Sequence, residues 1–296
     1  MDSTRPGRIA ALPDRGVVAV AGEGARQFLQ DLITADIGRA DGEAAVYGGL
    51  LSPQGKILFD FLVSADGAGG YLFDLPRTMT ADFAKRLAFY RLRAKVEIAD
   101  RSESLSVQAA WGGLAAPAHP GIVVRDGRLA ALGWRIVSAE RRPVGGREEA
   151  SPLDYRRHRI GLAIPEGGED FAYGDAYPHE VGMDALGGVD FKKGCYVGQE
   201  VVSRMEHRGS GRRRIVAVSG AGALPTAGTD IIAGGRLLGT LGSAVGSEGL
   251  ALVRLDRAAA AREGGLAITA ADIPLDLALP AWSGSDWPAG SGEAVE

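Results

Sequence analysis

The sequence predicts an α+β fold that closes with a small antiparallel β-barrel or sandwich. Strands and helices interleave over the first two thirds of the chain without a regular βαβ period, which argues α+β. Beyond residue 214, short apolar stretches recur between Gly-rich turns, the spacing of a small antiparallel barrel. At 296 residues the chain is long for one hydrophobic core, which points to two domains or one body with a satellite.

Residues 16–21 (Gly-Val-Val-Ala-Val-Ala) read as a buried strand, and Gly22-Glu23-Gly24 opens a helix with apolar positions Ala25, Phe28, Leu29, Leu32 and Ile33. A dinucleotide-binding turn would need a third glycine at position 27, where Gln27 stands, and no βαβ repeat follows. Residues 45–51 and 57–63 are strand-like, and Pro53 and Gly55 between them suit positions i+1 and i+3 of a type I turn, so this is a hairpin. A strand over 70–75 follows, then a helix over 80–92 with Phe83, Leu87 and Tyr90 at helical spacing, then a short strand over 94–99. Residues 104–137 alternate short apolar strands with Gly and Pro turns, and 141–150 read as a polar connection. Past residue 214, strands are expected over 215–219, 231–232, 237–242 and 250–255, with a helical turn over 257–262 and a Gly/Ser/Pro-rich flexible tail over 283–296.

Composition excludes several classes. A net charge of −4 gives no global attraction to nucleic acid or anionic membrane. One cysteine excludes an intrachain disulfide framework and a self-sufficient Cys₄ zinc or cluster site, so no metal is expected on this chain alone. No apolar run reaches the ~20 residues of a membrane helix, and residues 1–14 lack a secretory h-region, so the cytoplasm is the default. The four histidines are scattered, with no His-x-x-x-His pair.

The chain turns on Lys192-Lys193-Gly194-Cys195-Tyr196-Val197-Gly198-Gln199-Glu200, which holds the only cysteine and two of five lysines. Gly194 and Gly198 bracket Cys195 and permit a tight turn. A helix starts after Gly198, with Val197, Val201, Val202 and Met205 on one stripe, Glu200 and Arg204 four apart on another, and Gly209 placed to end it. A thiol just before a helix N-terminus, with two ammonium groups close in sequence, favours the thiolate. The alternative is a small buried hydrophobe at an apolar strand end. Arg208 to Arg214, with Arg204 and His207, forms the one dense basic patch, suited to a carboxylate tail, an RNA phosphate or an acidic partner, or serving only as a solvated linker.

Lys193-Gly194-Cys195-Tyr196-Val197-Gly198-Gln199-Glu200 resembles the signature of the YgfZ family of folate-binding proteins, relatives of the glycine-cleavage T-protein that serve iron–sulfur cluster assembly or repair. Phe28-Leu29-Gln30 with Thr34-Ala35-Asp36, the Leu51-to-Lys56 turn, the 159–180 segment and Gly249 to Arg254 are similar to other stretches of that family, although Ala35 stands where the family commonly has Asn. The resemblance implies a T-protein-like folate-binding fold of two interleaved α/β sub-domains, about 1–48 with 150–210 and about 49–149, plus a C-terminal barrel over 211–282. It implies an accessory factor for iron–sulfur enzymes or assembly proteins, with links to tRNA modification, rather than a conventional enzyme. Cys195 would be the functional thiol, framed by Lys193, Gly194, Tyr196, Gly198, Gln199 and Glu200. Tetrahydrofolate or a derivative would meet Glu180, Arg204, Tyr196 and Gln199, the Glu180 carboxylate accepting two N–H bonds from the aminopyrimidine edge. A folate-dependent one-carbon transferase is the alternative, although neither Asp74 nor Asp82 aligns cleanly with the aspartate that T-proteins use. An RNA-binding module acting through Arg208 to Arg214 is a third reading.

Overall fold

The structure, a computed structural model, describes residues 7–113, 115–142, 147–208 and 212–288. The chain divides into two compact units, Met1–Tyr155 with Leu186–Gln199, and Arg156–Ala185 with Glu200–Glu296.

The first unit is built on a ten-stranded, mostly antiparallel sheet. Its strands in chain order are β1 (Arg8–Ala11), β2 (Arg15–Ala21), β3 (Ala44–Leu51), β4 (Ile57–Ala65), β5 (Tyr71–Pro76), β6 (Glu97–Asp100), β7 (Ser106–Trp111), β8 (Ile122–Asp126), β9 (Trp134–Ser138) and β10 (Glu148–Glu149). In space they run β10-β1-β7-β9-β8-β3-β4-β5-β2-β6, with β1–β10 and β3–β8 the parallel pairs. Two helices, α1 (Ala25–Gln30) and α2 (Thr80–Tyr90), contribute to its core. α2 buries Thr80, Phe83 and Leu87 and carries Asp82 in its first turn, where the helix dipole favours an acid. Phe83 meets Phe59, Phe61 and Phe73 with ring centroids 5.2–5.4 Å apart. Each such buried ring contributes about 1.5–3 kcal/mol. The β3–β4 hairpin forms as its turn residues predict: the Gly55 amide donates to Ser52 O at 2.8 Å, and Gly55 has φ +78°.

This unit also buries an ionic network. Arg15 Nε donates to Asp74 Oδ1 at 2.6 Å, Arg128 Nη2 to Asp126 Oδ2 at 2.7 Å, and Arg135 Nε lies 3.4 Å from a carboxylate oxygen of each aspartate. Burial pushes the Asp126 carboxyl up, but the Arg128 and Arg135 guanidiniums outweigh it and hold it below its ordinary value.

In the second unit the closed barrel contains β11 (Arg213–Gly220), β12 (Asp230–Ala233), β13 (Arg236–Val245), β14 (Glu248–Arg254), β15 (Ile268–Ala270) and β16 (Ile273–Ala278), in the spatial order β11-β14-β13-β12-β15-β16. Closure removes the free edges that short strands would otherwise expose. The expected helical turn over 257–262 is a nine-residue helix, Leu255–Glu263, whose Leu255, Ala258 and Ala261 pack into the barrel core. Residues 283–288, read from composition as flexible, include Trp287, which packs against that core with the Arg262 guanidinium 4.3 Å from its ring centroid. Residues 289–296 of that tail lie outside the described residues.

The basic segment around Arg156 to Arg159 is helical, within α3 (Pro152–Gly161). Arg159 is 2% exposed. It donates to Ile164 O at 2.6 Å, Asp170 Oδ2 at 2.9 Å and Ser243 Oγ at 3.1 Å, and the Ser243 amide donates to Asp170 Oδ1 at 2.7 Å. A side chain at Gly242 would reach within 2.5 Å of Asp170 Oδ1, so glycine is needed for the barrel strand to come this close. Among the described residues no helix is long and apolar enough to cross a membrane.

Asp126→Ala leaves two buried guanidiniums without that carboxylate and is expected to cost about 3–5 kcal/mol in urea unfolding. Because the folded carboxyl binds its proton less tightly than the unfolded one, wild-type stability from this group is present above about pH 3.9 and lost as pH falls further. The variant should not show that part of the acid loss.

Candidate functional site

The signature loop is held from one point in the first unit, the buried turn Ile33-Thr34-Ala35 that follows α1. Thr34 Oγ1 donates to Gly188 O at 2.6 Å and accepts from the Gly49 amide at 2.8 Å, and the Asp190 amide donates to Thr34 O at 2.9 Å. Asp190 Oδ1 then accepts from the Lys192 and Lys193 amides at 2.8 and 3.0 Å, an Asx turn that sets the loop's course. Lys193 turns inward, and its ammonium donates to Ile33 O and Ala35 O, each at 2.8 Å. Ala35, where the resemblance would place an amide side chain, contributes its carbonyl instead.

Lys193 Nζ also lies 5.6 Å from the Tyr196 ring centroid. Burial is the main reason its pKa drops from 10.5 to about 8, and nearby Asp36 and Asp190 oppose the drop. Burial pushes the Tyr196 phenol up to about 12. Its hydroxyl is buried without a hydrogen-bond partner among the described residues.

Cys195 is exposed, between a lysine and a tyrosine that both point into the protein. The two bracketing glycines differ. Gly198 has φ +82°, and a Cβ there would sit 2.6 Å from Ser52 O, so the signature loop and the β3–β4 turn close on each other only through glycine. Gly194 has no positive φ and open space where a Cβ would be, so the tight turn expected there is not needed. The expected pair of flanking cations is also altered, since the Lys193 ammonium is committed to two carbonyls. The predicted helix forms as α4 (Gln199–Arg208). Gln199 opens it half-buried, and exposed Glu200 accepts from Arg204 Nη2 at 2.7 Å on its solvent side.

Glu180, expected to meet a pterin, lies in the second unit, in a short 3₁₀ turn (Pro178–Val181), and is 7% exposed. Arg213 Nε donates to its Oε1 and Arg213 Nη2 to its Oε2, both at 2.8 Å, and the Tyr177 amide donates to Oε2 at 2.9 Å. Arg213 Nη1 reaches Asp175 at 2.8 Å, and its pKa is raised, chiefly by the hydrogen bond to Glu180. As placed, this carboxylate does not fit an aminopyrimidine edge, because the fork that would read the ligand is filled by Arg213. Asp74 is enclosed by Arg15 and Arg135, and Asp82 is exposed at the start of α2.

The basic patch is not one cationic surface. Arg204 pairs with Glu200, Arg213 with Glu180 and Asp175, and Arg214 Nη1 donates to Arg213 O. Arg212 and His207 are exposed, and residues 209–211, with the predicted helix end at Gly209, lie outside the described residues. Sequence reading missed Thr34 and Asp190. Asp190, two and three residues before amides it accepts from, carried a local Asx-turn signal, whereas Thr34 had none because its partners are remote in sequence.

Three comparisons place this geometry among known proteins. The family model for the CAF17 C-terminal beta-barrel domain matches residues 212–285, the span of the closed barrel. Over 72% of its length the chain is 33% identical to the iron-sulfur cluster assembly factor IBA57 homolog, mitochondrial, of Mycosarcoma maydis, and it spans 57% of that protein. It is 31% identical to the iron-sulfur cluster assembly factor IBA57, mitochondrial, of Homo sapiens, over 94% of this chain and 84% of the human one. It is also similar to the crystal structure of glycine cleavage system aminomethyltransferase T from Bartonella henselae, with a TM-score of 0.74 at 13% identity over 95% of this chain and 87% of that one. At that identity the likeness is one of fold, and the T-protein-like fold with a C-terminal barrel is the one expected from the signature. The cytoplasmic expectation is corrected: both relatives are named mitochondrial. The composition of residues 1–14 does not assign a compartment.

Lys193→Met leaves the Ile33 and Ala35 carbonyls without their donor and is expected to cost about 1–3 kcal/mol. The folded chain holds the Lys193 proton less tightly than the unfolded one, so wild-type stability from this group rises between about 8 and 10.5. The gap to the variant should therefore widen from about pH 7.5 to about pH 9.5 in urea unfolding. Above 10, Tyr196 acts with the opposite sign, since the folded phenol keeps its proton up to about 12. Glu180→Gln is expected to lower stability by about 1.5–3 kcal/mol through loss of the charged fork, read as a shift in the thermal unfolding midpoint.

Proposed function

Since the chain belongs to the IBA57 family of iron–sulfur cluster assembly factors, we propose that it acts as an accessory protein in cluster assembly, presenting the Cys195 thiol to a cluster or to the protein that carries it. The observation that carries this reading is the exposed, solitary thiol on a loop whose neighbouring side chains, Lys193 and Tyr196, are anchored in the protein. Anchoring on both sides fixes the loop before a partner arrives, so less freedom is lost on binding.

Cluster chemistry sets the form of the contact. A [2Fe–2S] or [4Fe–4S] cluster takes four protein ligands, usually thiolates, and this chain has one thiol. Cys195 therefore supplies at most one, and the remaining ligands come from a partner. The cluster is cargo in this reading, not a resident group. The resemblance of the signature to the YgfZ family agrees with it, and tRNA-modifying cluster enzymes are carried as clients within the same proposal.

The folate part of the expectation is kept apart. The T-protein-like fold supports it, but Glu180, held in its two-bonded fork by Arg213, does not. The one-carbon-transfer alternative meets the same difficulty, with Asp74 and Glu180 both held by arginines.

In cells lacking the endogenous assembly factor, Cys195→Ser is expected to restore cluster-dependent enzyme activity no better than an empty vector, while the variant protein unfolds at the wild-type temperature. Full restoration by the serine variant would remove the thiol from the mechanism. Calorimetric titration with tetrahydrofolate separates the folate question: binding that is lost in Glu180→Ala while the fold persists would restore Glu180 to a ligand role.

A further inference from the structure

The second unit brings together a set of side chains that no local spacing announces. His179 lies in the 3₁₀ turn beside Glu180, Asp184 follows that turn, and Glu206 stands on α4. One ligand atom from each lies within 4.8 Å of the others. The His179 side chain is 5% exposed, and its Nε2 is 2.9 Å from Glu206 Oε2. The Asp184 carboxylate has no hydrogen-bond or ion-pair partner among the described residues.

Two observations separate this from a surface ion pair. His179 and Asp184 line a cavity of about 40 Å³, walled by Gly182, Ile215, Arg214 and Trp282. That exceeds the ~10–15 Å³ needed for one water, so a cation and a water or two can be accommodated. The Trp282 ring is seated against Gly182, where any Cβ would come within 2.5 Å of it, so the wall is built by close packing. The spacing also fits: metal–nitrogen and metal–oxygen bonds of about 2.1 Å at a right angle put the two ligand atoms about 3.0 Å apart.

We propose that His179, Asp184 and Glu206 form a binding site for one divalent first-row transition-metal ion, completed by water. An imidazole nitrogen with two carboxylates favours iron(II), manganese(II), cobalt(II) or zinc(II) over calcium or magnesium, which take oxygen ligands alone. Two carboxylates outweigh the single positive charge of Arg214, whose Nη1 donates to Arg213 O. None of the three ligands is the cluster thiol.

The test uses the full chain carrying Cys195→Ser, freed of metal and titrated with cobalt(II) chloride by calorimetry and by tryptophan fluorescence. The expected result is one saturable equivalent, weakened about tenfold or more by Asp184→Asn and by Glu206→Gln. Both positions are at least partly exposed, so these variants should fold as the parent does. Trp282→Phe should reduce the fluorescence response, because Trp282 walls the cavity. A flat titration, or equal affinity in the parent and both carboxamide variants, overturns the proposal and leaves His179 and Glu206 as a hydrogen-bonded pair.

Discussion

A single half-buried ammonium group holds the signature loop. Lys193 Nζ sits between the carbonyls of Ile33 and Ala35 and ties the residue before Cys195 to the turn after α1. The arrangement carries a tension. Burial disfavours the charge enough to bring its pKa to about 8, while the two carbonyls have no better donor nearby. Thr34 and Asp190 brace the same contact from the backbone side. The thiol can therefore lie outside, on a short stretch of chain, without the stretch being loose.

The second unit uses charge in a related way. Arg213 closes on Glu180 as a two-bonded fork, and Arg159 joins Asp170 to the barrel strand at Ser243. Arg159, Asp170 and Glu180 fall in the 159–180 stretch similar to a folate-binding family, and on residue type alone each would pass for a ligand contact. In this chain the guanidiniums satisfy the carboxylates internally. Such pairs add little net stability over an apolar contact, but removal of either member leaves a charge uncompensated, so they act as fasteners.

Much of the fold was legible. The β3–β4 hairpin, α2 and four of the six barrel strands, β11 to β14, followed from apolar periodicity with Gly and Pro at turns, because burial on one face leaves that pattern whatever the partner; β15 and β16 were not expected. The helix at Pro152–Gly161 is not legible, since its sequence is dense in charge and an arginine, Arg159, shares its buried face with Tyr155 and Ile160. Within the C-terminal segment, expected to be flexible from its Gly, Ser and Pro content, Trp287 packs a large ring against the barrel core. The candidate thiol was legible because it is unique. Its anchor was not, because Ile33 and Ala35 lie about 160 residues from Lys193 and contribute only backbone oxygen.

By itself the sequence determined the order of the elements, the barrel, the solitary sulfur and the glycine at 198, all of which are recorded in local spacing or in residue identity. The tertiary structure decided which way each charged side chain faces. It turned Lys193 inward, closed Glu180 with Arg213, and gathered His179, Asp184 and Glu206 within reach of one another. The reason is the cost of desolvation: a buried charge takes whichever partner the fold brings within about 3 Å, and that partner need not be near it in the chain.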